Sequence, residues 1–297
     1  MKGTQPSATA DLCAMARAHH ALFDADPVFR DEVGVKLTSD RWRRVLESPV
    51  LRRVVIDGLL RPARPSTASL VGRARYLERE VEAALDRGVR QYVIVGAGMD
   101  SFTVRRPDLV DRMPTFELDH PNTQRVKLAR LAKHQARPPG VTFVPVDLAA
   151  RSIASALADT PFDPALKTLF SWMGVTYYLP KPTVYRSLES MVSVAREGCE
   201  IIFDYQAPTE PSQSNHELPR KFVRALTRSV GEPQISAFHD DRLQTELAAR
   251  GLETVEVFTG EQMRKRYFLG RPDGLRPHGH VRIAHVRSMQ QVGSNAD

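Results

Sequence analysis

Hydrophobic positions along this chain follow two rhythms, and the change falls near residue 88. Up to that point apolar residues recur at helical spacing, with no strand alternation. Ala8 to Phe23 predicts a helix rich in Ala and Met. Asp40 to Leu60 predicts a second, interrupted near Pro49. Pro62 and Pro65 mark the next break. Ser66 is expected to cap a helix running to Arg87, with Gly88 closing it as the C′ residue. Beyond Gly88 the rhythm becomes short and β-rich. Apolar runs occupy Gln91–Gly96, Thr115–Asp119, Val141–Val146, Thr168–Trp172 and Glu200–Tyr205, with helical stretches such as Asn122–His134 and Lys181–Ala195 between them. Strand and helix in alternation predict an α/β fold, a mostly parallel sheet with right-handed crossovers and helices on both faces. Pro208 to Pro219 reads as a loop. Helices from Arg220 to Val230 and Asp240 to Arg250 follow, then strands at Thr254–Thr259 and Val281–Arg287. The expected organisation is a helical cover over 1–88, a Rossmann-type sheet domain over 89–206 and 238–289, a cover insert over 207–237 and a frayed tail over 290–297.

The first β-run ends in a glycine turn, Gly96-Ala97-Gly98. A second run, Phe116-Glu-Leu-Asp119, ends in an acid 21 residues after Gly98. This is the layout of a nucleotide-type cofactor site on an α/β sheet. The glycines let the backbone turn sharply and approach a ligand. The acid can accept both hydroxyls of a ribose. A dinucleotide fingerprint wants a third glycine three residues on, where pyrophosphate meets a helix N-terminus. Here Met99, Asp100 and Ser101 follow, and Asp100 sets a negative charge where pyrophosphate would arrive. A cofactor with one ribose and a positive centre fits better, and S-adenosylmethionine is such a cofactor. Gly-x-Gly with a distant acid is weak by itself, and a purely structural glycine turn is the alternative.

Charge and cysteine content narrow the class. The 297 residues carry a net charge of +7, but the basic residues are scattered among acids, as the pairs Arg43-Arg44, Arg52-Arg53 and Arg105-Arg106 illustrate. A solvated surface accounts for them better than a nucleic-acid footprint. No apolar run reaches membrane-spanning length, and Met1 to Ser7 has no apolar leader core, so neither a membrane nor export is expected. Cys13 and Cys199 stand far apart, which suits a reducing, cytoplasmic setting.

Four segments together resemble the leucine carboxyl methyltransferase-like family of S-adenosylmethionine-dependent O-methyltransferases, which includes bacterial polyketide and natural-product members. They are Gly72-Arg73-Ala-Arg75-Tyr76-Leu, the stretch from Arg90 through the glycine turn to Arg105, Phe116-Glu-Leu-Asp-His-Pro121 with Lys127 beyond it, and Leu169-Phe-Ser-Trp-Met-Gly-Val-Thr-Tyr-Tyr-Leu-Pro180. The resemblance covers roughly residues 40 to 205. It implies a class I methyltransferase-like sheet and cofactor roles by position. The glycine turn falls on Gly96, Ala97 and Gly98, the ribose acid on Asp119, with His120 as a cofactor neighbour. The adenine-side pair falls on Asp147-Leu148, and the arginine for the methionyl carboxylate on Arg73. The competing readings are a solvated helix arginine for Arg73 and a helix N-cap for Asp147. One departure stands out: Met173 occupies the position where the family usually has a Glu.

Methyl transfer from a sulfonium is an in-line displacement, so holding the acceptor in place is the main task. A carboxylate is already ionised at neutral pH, whereas a phenol needs a base. His20 and His239 are candidates for that base, although a lone His is more often structural. His278 and His280 flank Gly279, with no third ligand in metal-like spacing, and no metal is expected. Arg220, Arg224 and Arg228 share one helix face, suited either to an anionic substrate or to solvent. Tyr177, Tyr178 and Tyr205 near strand ends could orient a substrate oxygen or simply pack. The expected function is an O-methyltransferase acting on a carboxylate, or a hydroxyl, of a small natural product or a peptide terminus. The competing classes are a nicotinamide-dependent reductase and a non-catalytic S-adenosylmethionine-binding protein. For the reductase, Tyr177 and Lys181 have the required spacing, but Pro180 lies between them.

Overall fold

The computed structural model describes residues 7–208 and 217–289. Seven strands form one sheet: β1 Gln91–Val95, β2 Thr115–Asp119, β3 Val141–Pro145, β4 Thr168–Trp172, β5 Cys199–Gln206, β6 Leu252–Thr259 and β7 Val281–Ser288. Their order is β3-β2-β1-β4-β5-β7-β6. β1 to β5 run parallel, and β7 is inserted antiparallel between β5 and β6. The chain starts in the middle of the sheet, winds outward to β3, then returns to β4 on the other side of β1. This leaves a crevice above the C-terminal ends of β1 and β4, where open α/β sheets bind ligands. β1 and β4 are buried along their whole length, as a parallel sheet covered on both faces requires.

The two faces carry separate cores. One gathers Val93, Phe116, Phe170, Ile201 and Phe203 under the helix Lys181–Val194. The other gathers Tyr92, Ile94, Leu169 and Ile202 under the helix Arg64–Asp86. Alternate residues of each strand divide between them, the period-2 rule at work.

The N-terminal helix Ala8–Phe23 begins at Ser7, whose hydroxyl accepts from Ala10 N. The region after Pro49 is less regular than its helical pattern predicts: a short helix Pro49–Leu51, a π-helical stretch Arg52–Leu59 and a 3-10 turn Arg61–Ala63. The long helix then starts at Arg64, with Pro65 in its first turn. Ser66 is therefore not the cap; its hydroxyl lies 2.9 Å from His278 Nε2 instead. Gly88 closes the helix with φ +88°, as expected. The helix Glu217–Ser229 already contains Pro219, so the predicted loop ends sooner, and its middle lies outside the described residues, as does the tail from Gln290. A helix at Gly260–Tyr267, capped reciprocally by Thr259 and Gln262, was not expected from the hydrophobic pattern. No described helix is long and apolar enough to cross a membrane.

Candidate functional site

β1 delivers the chain to the crevice, where Gly96 N and Ala97 N donate to Leu118 O at 2.8 and 3.0 Å. Gly96 has φ +68°, and a Cβ there would lie 2.5 Å from Val175 Cγ2. Side chains are excluded at this turn by both conformation and space. Gly98 N donates to Asp119 Oδ2, and His120 N donates to Asp119 Oδ1 at 2.5 Å. Asp119, at the tip of β2, thus ties the glycine turn to the neighbouring strand. Burial lifts its carboxyl to about 6, the amides of Gly98 and His120 pulling the other way. His120 caps the helix Pro121–Lys133, accepting from Asn122 N at 3.3 Å. Asp100 Oδ1 accepts from Phe102 N at 2.7 Å, which starts the turn after the glycines.

The N-terminal helix lies across this turn. Arg17 is buried, donates through Nη2 to Met99 O at 2.6 Å and pairs with Asp31 at 2.7 Å. This clamp is absent from the sequence reading. Arg17 and Asp31 are 14 residues apart and carry no local signal.

Arg73 is not a solvated helix arginine. Its Nη1 donates to Asp204 Oδ2 at 2.6 Å and to the Tyr177 hydroxyl at 3.2 Å. Asp204, on β5, is buried and also accepts from Gly174 N at 2.6 Å. A Cβ on Gly174 would lie 2.8 Å from Arg73 Nη2, so the glycine leaves room for the guanidinium. Burial opposes the charge on Arg73, yet Asp204 and Tyr177 hold its proton more tightly than in a free arginine. Asp204 is the functional candidate the sequence reading missed; only its place at a strand end could have drawn attention to it. Asp147 caps a turn rather than a helix, its Oδ1 accepting from Ala149 N at 2.9 Å.

One cavity of about 1360 Å³ is lined by Arg17, Arg73, Gly96, Ala97, Gly98, Asp119, His120, Asp147, Leu148 and Asp204. Pockets for one drug-sized ligand span about 300–1,000 Å³, and this cavity is larger than that range. Met173 also lines it and packs on the core beneath the long helix. The far end is walled by apolar side chains from the covers, among them Leu12, Ile56, Leu60, Leu226 and Val230.

Several expectations for this far end need correction. Arg220 lines the cavity, but Arg224 and Arg228 are exposed and do not. The helix turns Val223, Leu226 and Thr227 inward, because its apolar residues recur every three to four positions. His20 is fully buried outside the cavity, its ring nitrogens held by Asp24 at 2.6 Å and Val28 N at 2.8 Å. His239 is exposed and precedes a helix. Neither is placed to act as a base. His19, His278 and His280 line the cavity instead. Tyr177, Tyr178 and Tyr205 line it too. Burial raises the first two hydroxyls well above the usual phenol range. Tyr205 donates to Asp240 Oδ1 at 2.8 Å.

A glycine turn tied to an acid on the next strand, beneath a large cavity, is a nucleotide-type cofactor site in outline. Comparison with known proteins narrows it. A Bacillus subtilis (strain 168) protein named as an S-adenosyl-L-methionine-dependent methyltransferase is 26% identical over 96% of this chain and 99% of its own length. A protein of the same description from Mycobacterium marinum (strain ATCC BAA-535 / M) is 37% identical over 57% of this chain and 54% of its own. A crystal structure described as a methyltransferase from Thermobifida fusca YX shares the fold, with a TM-score of 0.57 at 13% identity over 96% of this chain and 98% of that one. The strand order, the glycine turn and these likenesses converge on S-adenosylmethionine as the cofactor. The family model described as leucine carboxyl methyltransferase matches residues 10–192, from the N-terminal helix to the end of the helix after β4, and the chain belongs to that family of methyltransferases.

Proposed function

We propose that this methyltransferase is an O-methyltransferase that esterifies a carboxylate on a small natural product or a peptide terminus. The observation that carries the reading is that one cavity is lined both by the glycine turn with Asp119 and by apolar side chains of the covers, such as Leu12, Ile56 and Leu226. In this reading Asp119 accepts the ribose hydroxyls and Asp147 accepts from the adenine amino group. Arg73, aligned by Asp204, faces the methionyl carboxylate. Gly96, Ala97 and Gly98 allow close backbone approach, and His120 and Leu148 flank the nucleoside. When bound, S-adenosylmethionine supplies a methyl group on a sulfonium. Residues 1–88 and 207–237 act as covers around the cofactor-binding unit, and they keep water from the acceptor. Tyr177 and Tyr178 keep their protons at neutral pH, so they orient an acceptor oxygen rather than deprotonate it. A carboxylate acceptor needs no base.

A second reading, a hydroxyl acceptor, is favoured by one observation. His278 and Ser66 line the cavity with Nε2 and Oγ 2.9 Å apart, a geometry from which an imidazole can take a hydroxyl proton. The pH profile of kcat at saturating cofactor separates the two. A carboxylate acceptor predicts a flat profile from about pH 6 to 9 and a product that releases methanol in mild base. A base-stable product, with a rise near about pH 6 to 7 that is lost in His278→Ala, would overturn the carboxylate reading.

A further inference from the structure

The element that roofs the cavity also carries an unusual outer face. Val50, Val54 and Leu59 are 70%, 62% and 67% exposed. They recur at four and five residues along the short helix and the π-helical stretch; Val50 and Val54 stay clear of the cavity, and Leu59 sits at its rim. Leu51 is exposed beside them, as are Leu22 and Phe23 at the end of the N-terminal helix. The Arg52 guanidinium lies 3.9 Å over the Phe23 ring and joins the two groups into one patch. Contiguous exposed apolar patches on a folded chain mark contact sites.

The charge around this patch is equally uneven. From Arg41 to Arg64 there are seven arginines and two acids, Glu47 and Asp57, a net +5 within a chain whose total is +7. Arg41, Arg44, Arg53, Arg61 and Arg64 are exposed. Arg224 and Arg228 extend the basic rim on the helix packed against the Arg61–Ala63 turn. The inner side of the same stretch, through Val55, Ile56 and Leu60, lines the cavity.

We propose that this outer face docks on an anionic lipid surface. Apolar side chains interleaved with arginines are what an interfacial segment needs: the first enter the headgroup boundary, and the second meet acidic headgroups. Charge decides between this occupant and a second copy of the chain. A two-fold contact through the patch would set its arginine-rich rims against each other, whereas an anionic bilayer neutralises them. Docking sets the cavity roof against the bilayer, so an apolar acceptor reaches the cavity without crossing water. The contact is peripheral and involves no spanning helix.

The test is co-sedimentation of the full chain with vesicles of phosphatidylcholine alone and of phosphatidylcholine with an equal part of phosphatidylglycerol. The expected result is pelleting with the anionic vesicles only, reversed by molar salt. The double variant Val50→Glu with Val54→Glu, neither residue lining the cavity, raises the lipid needed for half-binding by at least about tenfold. Its melting temperature and S-adenosylhomocysteine affinity stay at parental values. A second variant, Arg53→Glu with Arg61→Glu, covers the case in which the first does not fold, and should weaken pelleting to a similar extent. Equal pelleting with both vesicle types, or none with either, overturns the proposal. So does a dimer in sedimentation velocity that the valine variant dissolves while vesicle binding is absent; that result assigns the face to a second copy.

Discussion

Asp119 offers a prediction in which fold stability and cofactor affinity separate. In the folded chain its carboxylate is buried and accepts two backbone amides. Burial raises it from 3.8 to about 6. A shift of about two units corresponds to about 3 kcal/mol favouring the protonated form in the folded state. A raised folded value means that this contribution is present below about pH 4 and is lost as pH climbs through about 6. At pH 7.5 the ionised carboxylate therefore carries that cost in the folded state, a figure that already includes the help of the two amides. Asp119→Ala removes the cost but leaves two amides without their acceptor, at about 1–3 kcal/mol each. The terms nearly cancel, and melting should stay within about 4 °C of the parent. Affinity for S-adenosylhomocysteine has no such cancellation. Losing a charged acceptor for two hydroxyls costs about 2–3 kcal/mol, or about 30- to 150-fold in Kd. Calorimetric titration from pH 5 to 8 gives the decisive pattern. The parent should bind roughly tenfold more weakly per pH unit below about 6, as the carboxylate is protonated. The variant should be weak and insensitive to pH. Parental affinity in the variant, or a pH slope that survives the substitution, refutes the assignment of Asp119 to the ribose.

Arg73→Ala leaves Asp204 buried without its cation, so urea denaturation should show a loss of about 3–5 kcal/mol as well as weaker cofactor binding. Arg73→Lys should recover part of the stability and less of the affinity, since an ammonium cannot span two acceptors as a planar guanidinium does. Gly96→Ala must place a Cβ against Val175 at φ +68°; a melting temperature lowered by several degrees and partly restored by adding Val175→Ala is expected, and an unchanged value would refute the crowding. Burial alone would raise Glu200, but hydrogen bonds from His285 and Arg87 hold it at about 2. The value is depressed, so its contribution of about 3 kcal/mol is present above about pH 5 and fades as pH falls toward 2. Glu200→Gln should flatten that part of the acid-stability curve.

Much of the candidate site's layout was legible because its signals are local. The glycine turn and Asp119 at a strand tip each follow a short β-run, and strands β2 and β4 fall on their predicted bounds, whereas the Asp147-Leu148 pair came only through the family resemblance. The Asp204 contact was not legible, since its partner Arg73 stands 131 residues away. The base candidates His20 and His239 failed for the same reason: a single residue's surroundings are set by distant chain. Of the two readings of the Arg220, Arg224 and Arg228 stripe, solvent holds for Arg224 and Arg228, while Arg220 reaches the cavity. Helical spacing places those side chains on one face, but only packing chooses which face meets the cavity, and the apolar face prevailed.

By itself, the sequence determined the alternation of strand and helix, the sheet class and the cofactor type, because period, turn chemistry and strand-end residues act within a few positions of one another. Only the tertiary structure decided that Asp204 would grip Arg73, that Ser66 would meet His278 rather than cap a helix, and that the π-helical roof would show valines to solvent. Those outcomes depend on which surfaces are brought together when the covers close over the sheet. Burial, hydrogen-bond partners and charge pairing are properties of that assembled contact and not of any window along the chain.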